Sequence, residues 1–210
     1  NYMLSLHEST LWVADEVDAI PIIIPEKHTD ISSLDKMIAI LQAKNKAFIV
    51  DPILDPLHFG FTESIVRYHN VRQKHPDIEI MMGVGNITEL THADTGGMNA
   101  LLLGICSELD IKHILATEVS QHANRAIKEA DVARRIMFAA KENNTLPKHI
   151  DSSLMALHET SPFPYSDMFP DPLLDTPSFT PDSNIVLTSW PIGVGRIFIL
   201  PYPFGPSIHI

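Results

Sequence analysis

Cysteine is almost missing from this chain: Cys106 stands alone among 210 residues, which excludes an intrachain disulfide and fits a reducing cytosol, the expected location. It lies inside an apolar helical stretch and reads as a small core residue. Long apolar runs are also missing. No stretch approaches the ~18 residues of a membrane span, so no membrane partner is expected. Positive charge is scarce, with 15 Lys and Arg against 26 Asp and Glu for a formal net charge of -11. With no basic run anywhere, nucleic acid is not an expected partner. Several catalytic signatures are lacking too. Gly83-x-Gly85 has neither the third glycine nor the later acid of a dinucleotide fingerprint, and there is no Gly-x-Ser-x-Gly elbow. Eleven histidines are present, but no pair has the spacing of a metal site with a third ligand nearby, so no metal centre is expected.

What remains is a chain that is 45% hydrophobic and long enough to bury a substantial core. Short apolar runs at Tyr2–Leu6, Ala19–Ile24, Ala47–Val50, Ile78–Met82 and Ile111–Ala116 read as strands. Helical stripes lie between them. Ser32 or Ser33 is expected to cap a helix whose Leu34, Met37, Ile38 and Leu41 fall at i, i+3, i+4 and i+7. Thr62 is expected to cap a second helix running to about Gln73, and a third spans Asp94 to Leu109. Ser120 is expected to open the longest helix, to about Asn143, with Ala123, Ala126, Ile127, Ala130, Ala133, Ile136, Met137 and Ala140 on its buried side. Strand starts recur about every 30 residues, the length of a βα unit, so the fold class is α/β with a parallel sheet. Residue patterns alone leave an open doubly wound sheet and part of a barrel both available.

The stretch from Phe48 to Thr88 carries the candidate chemistry. Its first strand stops at Asp51-Pro52, which places a carboxylate at the strand's end, although Asp-Pro is also a common turn starter. Asp55, four residues on, reads either as a Mg²⁺ ligand or, with more weight, as a turn cap. The next strand ends in Gly83-Val84-Gly85-Asn86, where two glycines permit a tight turn or close approach to a ligand and an amide follows. Glu118, after the last strand, is read equally as a substrate-orienting acid or the partner of a lysine. His7 and His58 stand at strand ends and are candidates for lining a pocket. In parallel α/β folds the C-terminal edge of the sheet is where ligands bind.

Beyond Pro147 the composition changes. Ten of the sixteen prolines fall between Ser161 and Pro206, so residues 151–210 are expected to form a proline-rich arm after a βα portion covering 1–150. Asn184–Ser189 and Gly195–Leu200 are suited to a small hairpin.

Phe48-Ile49-Val50-Asp51-Pro52, Phe59-Gly60-Phe61, Met82-Gly83-Val84-Gly85-Asn86 and Ile114-Leu115-Ala116-Thr117-Glu118-Val119 together resemble the last three strands of the pterin-binding TIM barrels. Those are dihydropteroate synthase and the methyltetrahydrofolate-binding methyltransferase domains. The resemblance is most distinctive to the dihydropteroate synthase-related proteins, linked to tetrahydromethanopterin biosynthesis in archaea and methylotrophic bacteria, and runs from about Tyr2 to Ile150. It implies the C-terminal part of a TIM barrel, with strands one to three lying outside this sequence. The chain, which begins at Asn1 rather than methionine, is therefore expected to be a piece of a longer protein or to complete itself in a homo-oligomer.

The resemblance further implies a reduced pterin as ligand or substrate, with Asp51 holding its amino-pyrimidine edge and Asn86 lying beside the second ring. Mg²⁺ enters as an accessory ion. The departures bear on activity. Gly85, Asn86 and Ile87 stand where dihydropteroate synthase has Ser-Arg-Lys, and Leu115 and Thr117 stand where it has Arg-x-His. Displacing a pyrophosphate requires positive charge on the leaving group. Pterin binding in folate or tetrahydromethanopterin biosynthesis is thus the leading expectation, with a transferase activity of the synthase kind behind it. A pterin-dependent methyltransferase domain and a non-catalytic pterin-binding subunit are the alternatives.

Overall fold

The computed structural model describes residues 2–28 and 30–155, together with the strand residues 186–189, 196–202 and 205–209. Five strands, β1 (Tyr2–Leu6), β2 (Ile20–Ile23), β3 (Ile49–Val50), β4 (Glu79–Met82) and β5 (His113–Ile114), form one parallel sheet in the order β1-β2-β3-β4-β5. The order follows the sequence with no reversal. A doubly wound sheet has such a reversal at its switch point. The sheet is not closed, and β1 and β5 are its edges among the described strands.

Between the strands run α1 (Val13–Glu16), α2 (Ser32–Ala43), α3 (Phe61–Lys74), the single turn α4 (Gly85–Thr88), α5 (Thr95–Glu108) and α6 (Ala126–Glu142). The expected stripe on α2 is buried in full: Leu34, Met37, Ile38 and Leu41 are at most 1% exposed. With Leu6, Ile23, Val50, Ile80 and Met82 from the strands they form the main core, to which α3, α5 and α6 also contribute. Cys106 belongs to that core, its sulfur 3.7 Å from that of Met82. The opposite face of the sheet carries a smaller cluster of Ile22, Ile49 and Met81 with Ile20, and no helix contributes to it. Period-2 alternation along the strands explains the division, since Ile49 and Met81 turn one way while Val50, Ile80 and Met82 turn the other.

Helix starts differ from expectation in three places. Ile31, not a serine, occupies the N-cap of α2; Asp30 accepts from the Ser32 N–H at 2.8 Å, and Ser33 instead accepts from the Glu26 N–H. Gly60, with φ of 113°, precedes α3, so Thr62 lies inside the helix. A Cβ there would meet Asp55 Oδ2 at 3.3 Å in a backbone conformation that strains any L side chain. Residues 121–123 form only a 3₁₀ turn, and Arg125 in the left-handed region (φ 87°) breaks the chain before α6 begins at Ala126. Ala126, Ala130, Ala133, Ile136 and Ala140 are buried as expected, while Ile127 is half exposed.

β1 contains one extra residue. Met3 pairs with Pro21 and Leu6 with Ile23, and Ser5 takes up the slack at φ of 65°. This is a bulge.

The chain divides into two units, Asn1–His158 and Glu159–Ile210. The first extends past residue 150, because Leu154 packs against the main core. In the second, β6 (Val186–Ser189), β7 (Arg196–Tyr202) and β8 (Gly205–His209) make an antiparallel sheet in that order. Of the proline-rich arm expected over 151–210, residues 156–185 lie outside the described residues. Among the described residues no helix is long and apolar enough to cross a membrane.

Among the described residues the open parallel sheet leaves unpaired N–H and C=O groups along β1 and β5, which favours pairing with another chain. Light scattering at micromolar concentration is expected to return a species heavier than the 23.4 kDa monomer; a sharp monomer would mean that both edges are covered.

Candidate functional site

Asp51 follows directly on β3, and its backbone N–H continues the ladder by donating to the Ile23 carbonyl at 2.9 Å. Its side chain is already engaged. Oδ1 accepts from the Tyr68 hydroxyl at 2.8 Å and from the Ile53 N–H at 2.8 Å, while Oδ2 has no hydrogen-bond partner among the described residues. Burial pushes the Asp51 carboxyl above the ordinary range, opposed by those two bonds and by the charge of Arg67. The Tyr68 phenol, fully buried and facing that carboxylate, is pushed well up.

The loop after Asp51 is held by Arg67, which α3 delivers from its buried side one residue before Tyr68. The guanidinium donates to the carbonyls of Pro52 (2.7 Å), His28 (2.9 Å) and Ile53 (2.5 Å) and to Asp55 Oδ2 (2.7 Å). Asp55 Oδ1 pairs with His28 Nδ1 at 2.9 Å. Asp55 is thus part of an ion pair, with its two oxygens engaged by Arg67 and His28.

At the end of β4, the two glycines have different roles. Neither Gly83 nor Gly85 takes a positive φ, so neither is needed for a left-handed turn. A Cβ on Gly83 would meet nothing within 4 Å, whereas one on Gly85 would come within 2.7 Å of Thr117 Oγ1. Gly85 therefore lets the loop after β5 approach, and its N–H donates to the Leu115 carbonyl at 3.3 Å. Asn86 is exposed. Its Nδ2 donates to the Leu54 carbonyl at 2.7 Å, tying the end of β4 to the Asp51 loop and leaving Oδ1 with no partner among the described residues.

Glu118 meets no lysine among the described residues; its Oε1 accepts from the Ile127 N–H at 2.9 Å, satisfying a donor in the first turn of α6. His7, half-buried at the end of β1, donates through Nδ1 to the Pro25 carbonyl at 3.2 Å, which leaves Nε2 as the acceptor nitrogen in the neutral ring. His58 has φ of 69° and lies edge-on to the highly exposed Phe59. A cavity of about 560 Å³ beside this loop is lined by Phe59, Gly60, Asp55, Arg67 and His28, among others. Asp51 and Asn86 do not line it.

Three residues that organise this edge escaped the sequence reading. Arg67 and Tyr68 sit with Ser64 and Val71 at i, i+3, i+4 and i+7 on α3, so an arginine within a core-facing stripe was the available signal. Glu89, just past α4, accepts from the N–H groups of Val119 and Ser120 at 2.8 Å each. Those bonds, with the Ser120 hydroxyl, hold its carboxyl down at about 2. No local pattern marks it.

No family model matches the chain, and no solved structure matches it at a significant level. An uncharacterized protein of Methanocaldococcus jannaschii is 35% identical over 129 residues, which is 60% of this chain and 24% of that protein. The chain spans about a quarter of the length of the curated relative it matches.

Two outcomes follow from these contacts. Asp55→Ala strands the guanidinium of Arg67, only 9% exposed, without its counter-ion. A loss of about 3 kcal/mol in a denaturant titration is expected, against less than half of that for Asp55→Asn. Glu89 has a folded pKa near 2 and an ordinary value of 4.5, so its contribution is complete above pH 4.5 and is lost as pH falls through about 2. Melting curves of the wild type and Glu89→Gln are therefore expected to differ at neutral pH and to converge below pH 2. A difference that persists unchanged in acid would exclude the ionised carboxylate as its source.

Proposed function

We propose that this chain is a reduced-pterin-binding protein of the dihydropteroate synthase-related kind, acting in folate or tetrahydromethanopterin biosynthesis, with Asp51 and Asn86 as its ligand contacts. The observation that carries the reading is the pair of uncommitted acceptors among the described residues, Asp51 Oδ2 just after β3 and Asn86 Oδ1 in the turn α4 that follows the neighbouring strand β4. A carboxylate oxygen has two lone pairs and suits the adjacent N–H donors of an amino-pyrimidine edge; an amide oxygen suits a donor on the second ring. The C-terminal edge of a parallel sheet is the usual location for such a site. Sequential strand order and a second, helix-free apolar face support reading the sheet as part of a parallel barrel wall.

Condensation chemistry has less support than binding. No Lys or Arg occurs in Gly83–Thr88 or Leu115–Ser120, and Arg67 is committed to carbonyls and Asp55. That scarcity of cations favours a second reading, a non-catalytic pterin-binding subunit.

Calorimetric titration of the chain with a reduced pterin tests the proposal. Asp51→Ala is expected to lose a charge-assisted contact worth about 1.5–3 kcal/mol, roughly 10- to 150-fold in affinity. Asn86→Ala is expected to lose about 1 kcal/mol. Undetectable binding by the wild type, or affinity unchanged in Asp51→Ala, would overturn the proposal.

A further inference from the structure

Tyr68 lies on the helix side of the sheet, yet its hydroxyl reaches the strand end that carries Asp51, and the carboxylate is its one acceptor among the described residues. A buried phenol needs such a partner, and the ring, at 0% exposed, has no room to turn away. Oδ1 therefore receives Tyr68 O–H and Ile53 N–H together, which uses both of its lone pairs. A fork that places one donor on each carboxylate oxygen cannot form while Tyr68 stays bound.

We infer that Tyr68 is the positioning residue of the Asp51 site: it fills Oδ1 and leaves Oδ2 as the acceptor for a ligand that brings adjacent N–H donors. The inference rests on the pterin reading of Asp51 given above. Among the described residues, two charged or titratable groups face the pair. Arg67 faces both Asp51 and Tyr68 from α3, and Cys106 faces Tyr68 from α5. Arg67 is fixed by its carbonyl and Asp55 bonds, and burial pushes the Cys106 thiol up to about 12, so neither changes state near neutral pH. The hydroxyl bond is then the adjustable influence on how Asp51 ionises and where its free oxygen lies.

Tyr68→Phe keeps the ring and removes the O–H. Carbon-13 NMR of the aspartate carboxyls in the ligand-free variant is expected to place the Asp51 midpoint about one pH unit above that of the wild type. At a pH above both measured Asp51 midpoints, affinity for a reduced pterin is expected to fall about fivefold or more. An unchanged midpoint together with unchanged affinity would reduce Tyr68 to a space-filling residue and overturn the inference. Should the variant fail to fold, the wild type and Asp51→Asn decide the matter. The Tyr68 Cζ signal is expected to step with the Asp51 titration in the wild type and to stay flat in Asp51→Asn; a flat wild-type signal overturns the inference. If the wild type binds no pterin, the functional proposal fails, whereas the ligand-free titrations still decide whether Tyr68 governs Asp51.

Discussion

One buried guanidinium sets the shape of the loop between β3 and α3. Arg67 bonds the consecutive carbonyls of Pro52 and Ile53 within the turn after Asp51, and the carboxylate of Asp55 beyond it. Ile53, a β-branched residue at φ of 69°, occupies a conformation that costs about 1–3 kcal/mol and persists only where the surroundings hold it. The surroundings here are Arg67 on the Ile53 carbonyl and Asp51 on the Ile53 N–H. Loss of the guanidinium would release the loop, and with it the direction of the Asp51 carboxylate.

The same principle extends along the whole C-terminal edge of the sheet, because each strand's loop is bonded to the next. His7 reaches Pro25 and Ser9 reaches Glu26; His28 reaches Asp55; Asn86 reaches Leu54; Gly85 meets Leu115, and Glu89 binds Val119 and Ser120. Loops are ordinarily the mobile part of an α/β fold. Here they form a linked series, so a ligand at this edge meets groups already in place and little ordering entropy opposes binding. Rigidity at the edge is thereby a property of side chains, while the sheet beneath contributes strands as short as the pair Ile49–Val50.

Periodicity made the sheet and the helical stripes legible. Five strands and the buried face of α2 follow from spacing alone, since both depend on which residues can leave water, whereas the strand order does not. Helix starts did not follow. A serine or threonine near a helix end is a cap only if its backbone is extended; at Ser32 and Thr62 a neighbouring residue took that role, and Ser120, though extended, caps only the 3₁₀ turn ahead of α6. The candidate site was half legible. Asp51 follows β3 directly as its position suggested, but Asn86 lies past the end of β4 in the turn α4, and Asp55 and Glu118 are bound within the fold by Arg67 and by the Ile127 N–H. Those partners are contributed by distant turns of helix, and no local pattern encodes such a distance.

The bulge at Ser5 determines the phase of the first strand. Side chains in a strand alternate, and by absorbing the extra residue the bulge keeps Leu6 on the helix-covered face beside Ile23, with His7 next, at the edge. A deletion here is therefore gentler than one elsewhere in the sheet. Removing one residue between Met3 and Leu6 would set three residues against Pro21–Ile23 and straighten the strand, with Leu6 still opposite Ile23 and His7 still next. The bulge stores one residue of length that the strand can lose without exchanging its faces.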